Sequence, residues 1–353
     1  MGARTVALML AIVVIAIEGC GVLGDAPPPV IDSGAPPPRS ARPGPASDGR
    51  SDARLTVAVN VWALKWLVDE IGGPELVGET MMFESSPHEA PKPKDIDLMR
   101  KADVVMYIGN LSRDVAEILD ARAASSPDQF VDISKISSIG LLEAPPELED
   151  DHLVENRDPH VWLDPGGRMV AIARRLTRGL QKAVERAPTI EPAKSRHAQE
   201  LNQRTDTVVD RLAELHGDLA QRLVGCAGRT VVAEHPAYLY LANAFGFDQL
   251  PVTRVSSAEL AHQITREQTD KLVAMWAGDP QRSIFLEHSK GPQGKDPDPE
   301  RRWIEALASE TGAKFYYLSS LEKAPEADED GRPRDYVAAM TYNVDNLKMG
   351  LKC

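Results

Sequence analysis

Cysteine is scarce in this chain. Its 353 residues include three, Cys20, Cys226 and Cys353, with no Cys-x-x-Cys pair and no Cys/His spacing of a structural zinc site. That excludes a disulfide framework and a cysteine-ligated metal domain. Basic residues are in deficit: 40 Lys and Arg against 53 Asp and Glu leave a net charge of −13. Nucleic acid or an anionic bilayer would repel such a surface, so neither is expected as its main partner. Aromatic residues make up 5% of the chain, and after the N-terminal stretch no apolar run reaches the ~20 residues of a membrane helix. No His-Glu-x-x-His pair occurs, which removes the single-helix zinc-protease signature.

What is present begins with an address. Met1-Gly2-Ala3-Arg4 followed by the apolar run Val6 to Ile17 has the layout of a signal peptide, expected over 1–19. Ile17-Glu18-Gly19-Cys20 is similar to the lipobox of bacterial lipoproteins, which implies acylation of Cys20, although Glu18 stands where a small or apolar residue is usual. Residues 20–53 hold Pro27-Pro28-Pro29, Pro36-Pro37-Pro38, Pro43 and Pro45 and have little apolar surface to bury, so they are expected to form a lipid-anchored tether. In an exported chain Cys226 and Cys353 can pair; the sequence leaves open whether their Cα atoms approach within ~7 Å.

The remaining chain, about 300 residues, suffices for two domains. Alternation and turn signals predict strands at Leu55 to Val61, Leu76 to Phe83, Asp103 to Ile108 and Phe130 to Ile133. Helices are predicted between them: Trp62 to Ile71, closed by Gly72-Gly73, then Pro93 to Lys101 and Arg113 to Ala123. A second series of strands is expected at Thr230 to Ala233, Gln249 to Val255, Ser283 to Leu286 and Lys314 to Leu318. Such β/α alternation implies parallel sheets. The two series faintly echo each other, Ser85-Ser86 in one and Ser256-Ser257 in the other, each leading into a helix and then a strand. Between them Leu201, Val208, Leu212, Leu215, Leu219 and Leu223 keep helical spacing within an uninterrupted run from about Pro192 to Val224. The expected fold class is α/β: an N-terminal lobe over 54–190, one long rigid helix over 191–225, and a C-terminal lobe over 226–353. One stiff helix is a poor hinge, so little motion between the lobes is expected.

Three histidines, His88, His160 and His235, fall in short loops beside these strands and helices. Imidazole is the commonest protein ligand for a borderline divalent ion, and three with one oxygen suit zinc. The run Asp158-Pro159-His160-Val161-Trp162-Leu163-Asp164-Pro165 is the most specific of the three. Asp158 and Asp164 are expected to pin that loop, and one of them to fix the His160 tautomer. His262 and His288 lack such context and are left as surface or supporting residues.

Signal plus Cys20, Pro87-His88-Glu89 with the following Pro-Lys-Asp-Ile-Asp-Leu-Met run, the His160 run, the long helix, Glu234-His235-Pro236-Ala237-Tyr238 and Thr311-Gly312-Ala313-Lys314 occur in this order. Together they resemble the zinc- and manganese-binding solute-binding lipoproteins of bacterial ABC importers over nearly the whole body. The resemblance implies a monomeric, non-enzymatic periplasmic or cell-surface receptor that hands a metal to an ABC transporter permease. It also implies His88, His160 and His235 as ligands, with Zn2+ as the transported ion ahead of Mn2+, because manganese-type members place a carboxylate at the third position. The family usually has an Asp at a fourth position, where this chain reads Leu318-Ser319-Ser320-Leu321, with Ser319 in place of the Asp. The missing oxygen is expected from water or Glu287, with Glu89 and Glu234 as other candidates, and binding is expected to be weaker or more exposed.

The acidic loop from Glu143 to Arg157, with His152, stands where zinc-type members often carry a histidine-rich insert; a solvated loop is expected. A secreted zinc hydrolase with a three-histidine site is the alternative from another class, and a metal-binding adhesin a third reading. Ligating imidazoles must be neutral, so metal should be lost below about pH 6.

Overall fold

The computed structural model describes residues 54–144, 153–188, 193–234, 236–252, 266–277, 282–287, 299–328 and 330–353. The expected signal, Cys20, the tether, His152, the Ser256-Ser257 echo, His262, His288 and His235 lie outside the described residues.

The first lobe runs β1 (Leu55–Val59), α1 (Trp62–Leu76), β2 (Val77–Met82), α2 (Pro93–Lys101), β3 (Val104–Tyr107), α3 (Arg113–Ser125) and β4 (Phe130–Asp132). Its four strands are parallel in the order β2-β1-β3-β4. Every residue of β3 and β4 is buried, as strands covered on both faces require. Helix α1 continues past Ile71, but Gly73 adopts φ 65° and Pro74 follows it, so the regular helix is broken at the expected glycines.

The second lobe contains β5 (Thr230–Ala233), β6 (Asp248–Pro251), β7 (Ser283–Leu286) and β8 (Lys314–Tyr317), again parallel, in the order β6-β5-β7-β8. The two sheets thus share one strand order. In each, the direction in which strands are added to the sheet reverses between the first and third strands of the series, and the crevice beyond the carboxyl ends of those strands is where ligands of open sheets gather.

One long helix joins the lobes. After α4 (Arg168–Arg186), α5 (Ala193–Leu223) runs 31 residues, about 46 Å at 1.5 Å per residue. Helix α4 buries Met169, Ile172, Ala173, Leu176, Leu180, Ala183 and Val184, a stripe with helical spacing. The pair meets at buried Thr177 and Thr205, whose hydroxyls lie 2.5 Å apart. The short α6 (Leu239–Phe245), α7 (Arg266–Met275) and α8 (Pro299–Thr311) belong to the second lobe, and α9 (Tyr336–Leu351) closes the chain. Arg211 of α5 reaches Glu70 of α1 at 2.7 Å and Asp335 at the cap of α9 at 3.0 Å. Trp66 of α1 stacks on Tyr336 of α9 with ring centroids 4.9 Å apart. One apolar core extends unbroken from Leu55 to Leu351, while a smaller one fills the space between the second sheet and α7 and α8. A disulfide joins Cys226, just past α5, to Cys353, just past α9, with Cα atoms 5.0 Å apart.

Candidate metal centre

His88 lies between β2 and α2, in a loop shaped by Asp95. That carboxylate is fully buried and accepts from the main-chain N–H groups of Glu84 at 2.6 Å and Lys92 at 2.9 Å, and from the Ser85 hydroxyl. The Asp of the Pro-Lys-Asp run therefore both caps α2 and fixes the path of the chain through His88. The His88 Nδ1 faces the Leu111 carbonyl at 3.0 Å. A carbonyl only accepts, so Nδ1 carries the hydrogen and Nε2 is left to face the site.

His160 is held the same way by a different acceptor. Asp158 Oδ1 accepts from the His160 main-chain N–H at 2.7 Å and faces its Nδ1 at 2.9 Å. Asp164, four residues on, caps α4: its Oδ1 accepts from Gly166 and Gly167 N–H, and its Oδ2 from Arg168. Of the two aspartates, Asp158 sets the His160 tautomer and Asp164 ends the loop.

Both imidazoles present Nε2 to one atom. Glu322 Oε1 lies 3.0 Å from His88 Nε2 and 3.0 Å from His160 Nε2. The three side chains are 9%, 0% and 6% exposed for His88, His160 and Glu322, so bulk water cannot screen them. Among the described residues they form the only cluster of three or more His, Cys, Asp or Glu side chains whose ligand atoms all lie within 4.8 Å of one another.

With Nδ1 committed to an acceptor in each ring, two Nε2 lone pairs and a carboxylate oxygen converge on one small volume. That juxtaposition is favourable only with a cation inside it, either a proton on the rings or a metal ion among all three. Burial pushes the His160 imidazole toward its neutral form, but the Asp158 and Glu322 carboxylates outweigh it and hold the pKa above the ordinary histidine value. Two nitrogens and one oxygen suit zinc.

The carboxylate that faces the two imidazoles is Glu322, where the sequence reading names water or Glu287. Glu287 does not join the cluster: its carboxylate accepts from the Ser320 hydroxyl, and its N–H donates to Glu234 at 2.9 Å. The oxygen beside the imidazoles comes from four residues past Leu318, and Glu322 is buried. Ser319, in place of the expected Asp, and Ser320 build the turn that delivers it. Ser319 Oγ accepts from Leu321 N–H at 3.3 Å and Ser320 Oγ from Glu322 N–H at 3.4 Å, with Leu321 at φ 58°. A glutamate directly after Leu-Ser-Ser-Leu was the available sequence signal. Its direction, however, depends on that left-handed residue.

All five carbonyls of 318–322 are satisfied. Leu318 O accepts from the Tyr238 hydroxyl, Ser319 O from Asn343 Nδ2 and Ser320 O from Trp162 Nε1; Leu321 O and Glu322 O accept from the N–H groups of Ala63 and Trp62 at the start of α1. Burial, followed by the charges of Glu287, Glu234 and Glu322, raises the Tyr238 pKa well above the ordinary tyrosine value, so its hydroxyl keeps its proton as donor.

Two parallel α/β lobes, bridged by a long helix, with imidazoles and a carboxylate buried at their junction, define a two-lobe protein built around a metal-ligand cluster. Residues 57–350 match the family described as ZnuA, zinc-uptake complex component A, periplasmic, and the chain belongs to that family. It is 22% identical over 293 residues to the zinc-binding protein AdcA of Streptococcus pyogenes serotype M3, covering 79% of this chain and 52% of that protein. The chain thus spans about half the length of that relative. It is 23% identical over 278 residues to the high-affinity zinc uptake system protein ZnuA of Bacillus subtilis, covering 75% of this chain and 77% of that protein. Among solved structures, a Zn(II)-bound mutant variant of AdcAII from Streptococcus pneumoniae superposes with a TM-score of 0.65 at 22% identity, over 84% of this chain and 98% of that one. That likeness extends the fold assignment to both lobes.

Proposed function

We propose that this protein is a non-enzymatic receptor that captures Zn2+ outside the cytoplasm and delivers it to the permease of an ABC importer. The observation that carries the reading is the convergence of His88 Nε2, His160 Nε2 and Glu322 Oε1, each ring having its other nitrogen committed. These three are the proposed ligands, and His235, from the matching Glu-His-Pro run, is proposed to join them. Zinc is cargo here, so the site must hold it without reacting. Buried ligands fixed by hydrogen bonds to Leu111 and Asp158 supply that. The acidic surface favours cation approach and disfavours direct adsorption to anionic lipid. Attachment to the membrane is proposed to come from acylated Cys20 and the Pro-rich tether, with the receptor acting as a monomer.

Elemental analysis of the purified protein, followed by a competitive zinc and manganese titration, tests the reading. One zinc per chain, with zinc displacing manganese, is expected. Turnover of an ester or peptide substrate, or the absence of stoichiometric zinc binding, would overturn it.

A further inference from the structure

We infer that Asn343, on α9, is a positioning residue that aims the Glu322 carboxylate at the two imidazoles. The inference rests on Glu322 being a zinc ligand. Asn343 is fully buried and grips the Ser319 peptide from both sides: its Oδ1 accepts from Ser319 N–H at 2.8 Å and its Nδ2 donates to Ser319 C=O at 2.9 Å. Only a side chain carrying a donor and an acceptor side by side satisfies both groups at once.

What that grip controls lies two and three residues further on. Ser319, so oriented, offers Oγ to the N–H of Leu321, the residue at φ 58°. A left-handed leucine is strained and persists only where its surroundings dictate it. Were Leu321 to relax, the chain direction at Glu322 would change and Oε1 would leave the point shared by His88 and His160.

Helix α9 is a rigid base for this task. Its first residue, Tyr336, stacks on Trp66 and donates to the carbonyl of Trp162 at 2.6 Å, two residues beyond His160. Its last turn is tied by Gly350 O, which accepts from the Ser283 hydroxyl, and by the disulfide at Cys353. A single helix therefore references both the His160 loop and the Glu322 loop to the same frame.

The test is a double-mutant cycle on the full chain, read as zinc affinity by chelator competition and as the absorption spectrum of the Co(II)-loaded protein. Glu322→Gln should weaken zinc binding, and Asn343→Ala should weaken it by about 10–100-fold, the range for groups that orient a ligand. In the Glu322→Gln background, removing Asn343 should change affinity by less than about 3-fold, because the group it positions is no longer a carboxylate. The Co(II) spectrum should shift in Asn343→Ala toward that of Glu322→Gln. Losses that multiply in the double variant, with an unshifted spectrum, would show that Asn343 serves only the fold and would overturn the inference. A Glu322→Gln protein with unchanged zinc affinity would instead remove the ligand reading itself, and the inference with it. If Asn343→Ala does not fold, Asn343→Asp, which still accepts from Ser319 N–H but cannot donate to its carbonyl, completes the same cycle with the same expected pattern.

Discussion

The main-chain N–H of Trp62 donates to the carbonyl of Glu322 at 2.8 Å. Trp62 begins the first helix, whereas Glu322 comes from the second half of the chain, after β8. The carboxylate is thus fastened, through its own peptide, to the lobe that carries His88 and His160. The same loop is also tied to the second sheet, where the Leu318 N–H donates to the Leu286 carbonyl at 2.8 Å.

Ligand substitution should separate the cluster from its surroundings. His88→Ala, His160→Ala and Glu322→Gln are each expected to lower zinc affinity by more than the ~10–100-fold that loss of an orienting residue such as Asp158 costs. Glu287→Gln, whose side chain engages Ser320, should fall at or below that lower range. Calorimetric or chelator-competition titration ranks them, and a Glu287→Gln effect larger than that of Glu322→Gln would reverse the assignment.

Zinc loading should be lost as pH falls, starting above the ordinary histidine value of about 6.5, because the His160 imidazole has its pKa raised and a bound proton excludes the metal. In the metal-free protein the sign is opposite. The raised folded-state pKa means that the protonated ring contributes stability fully below about pH 6.5, and the contribution disappears as pH rises through the raised value. Denaturation midpoints of apo and loaded protein across pH 5 to 8 should therefore diverge with rising pH; parallel curves would exclude His160 from both roles.

Trp162→Phe removes the indole N–H that donates to Ser320 O at 2.6 Å in a fully buried position. An unpaired buried carbonyl costs about 1–3 kcal/mol. Urea unfolding of the metal-free protein should show a loss of that size, and zinc affinity should fall as well, since Ser320 is two residues from Glu322.

Gly350→Ala should be destabilising despite the higher helix propensity of alanine. A Cβ at position 350 would lie 2.5 Å from Phe285 Cζ, where α9 meets β7. Overpacking of this kind costs about 1–3 kcal/mol. Thermal unfolding measures it, and a stabilised variant would mean that α9 can lift off the sheet at little cost.

The alternating apolar pattern made most strands legible: Thr230–Ala233 and Ser283–Leu286 occupy the expected residues, and the uninterrupted run after Pro192 is the 31-residue α5. Helix α4 was not expected, because Arg168, Arg174, Arg175 and Arg178 crowd the same turns as its apolar stripe and dilute the periodicity. In the candidate site, His88 and His160 stand out as loop histidines within distinctive runs. Glu322 does not, because nothing local distinguishes one acidic residue after a serine pair from another. Its role depends on a left-handed leucine and on donors from Trp62, Ala63, Trp162 and Asn343, which are contacts between distant parts of the chain. His235 lies outside the described residues, so its place rests on the sequence match alone.

The bond between Cys226 and Cys353, 127 positions apart, turns the chain from the end of α5 to the C-terminus into a closed covalent ring. One peptide cut anywhere along that ring would leave both pieces attached to the rest of the molecule. A single nick within the ring therefore leaves the chain in one covalent piece, a tolerance that the residues before Cys226 do not share.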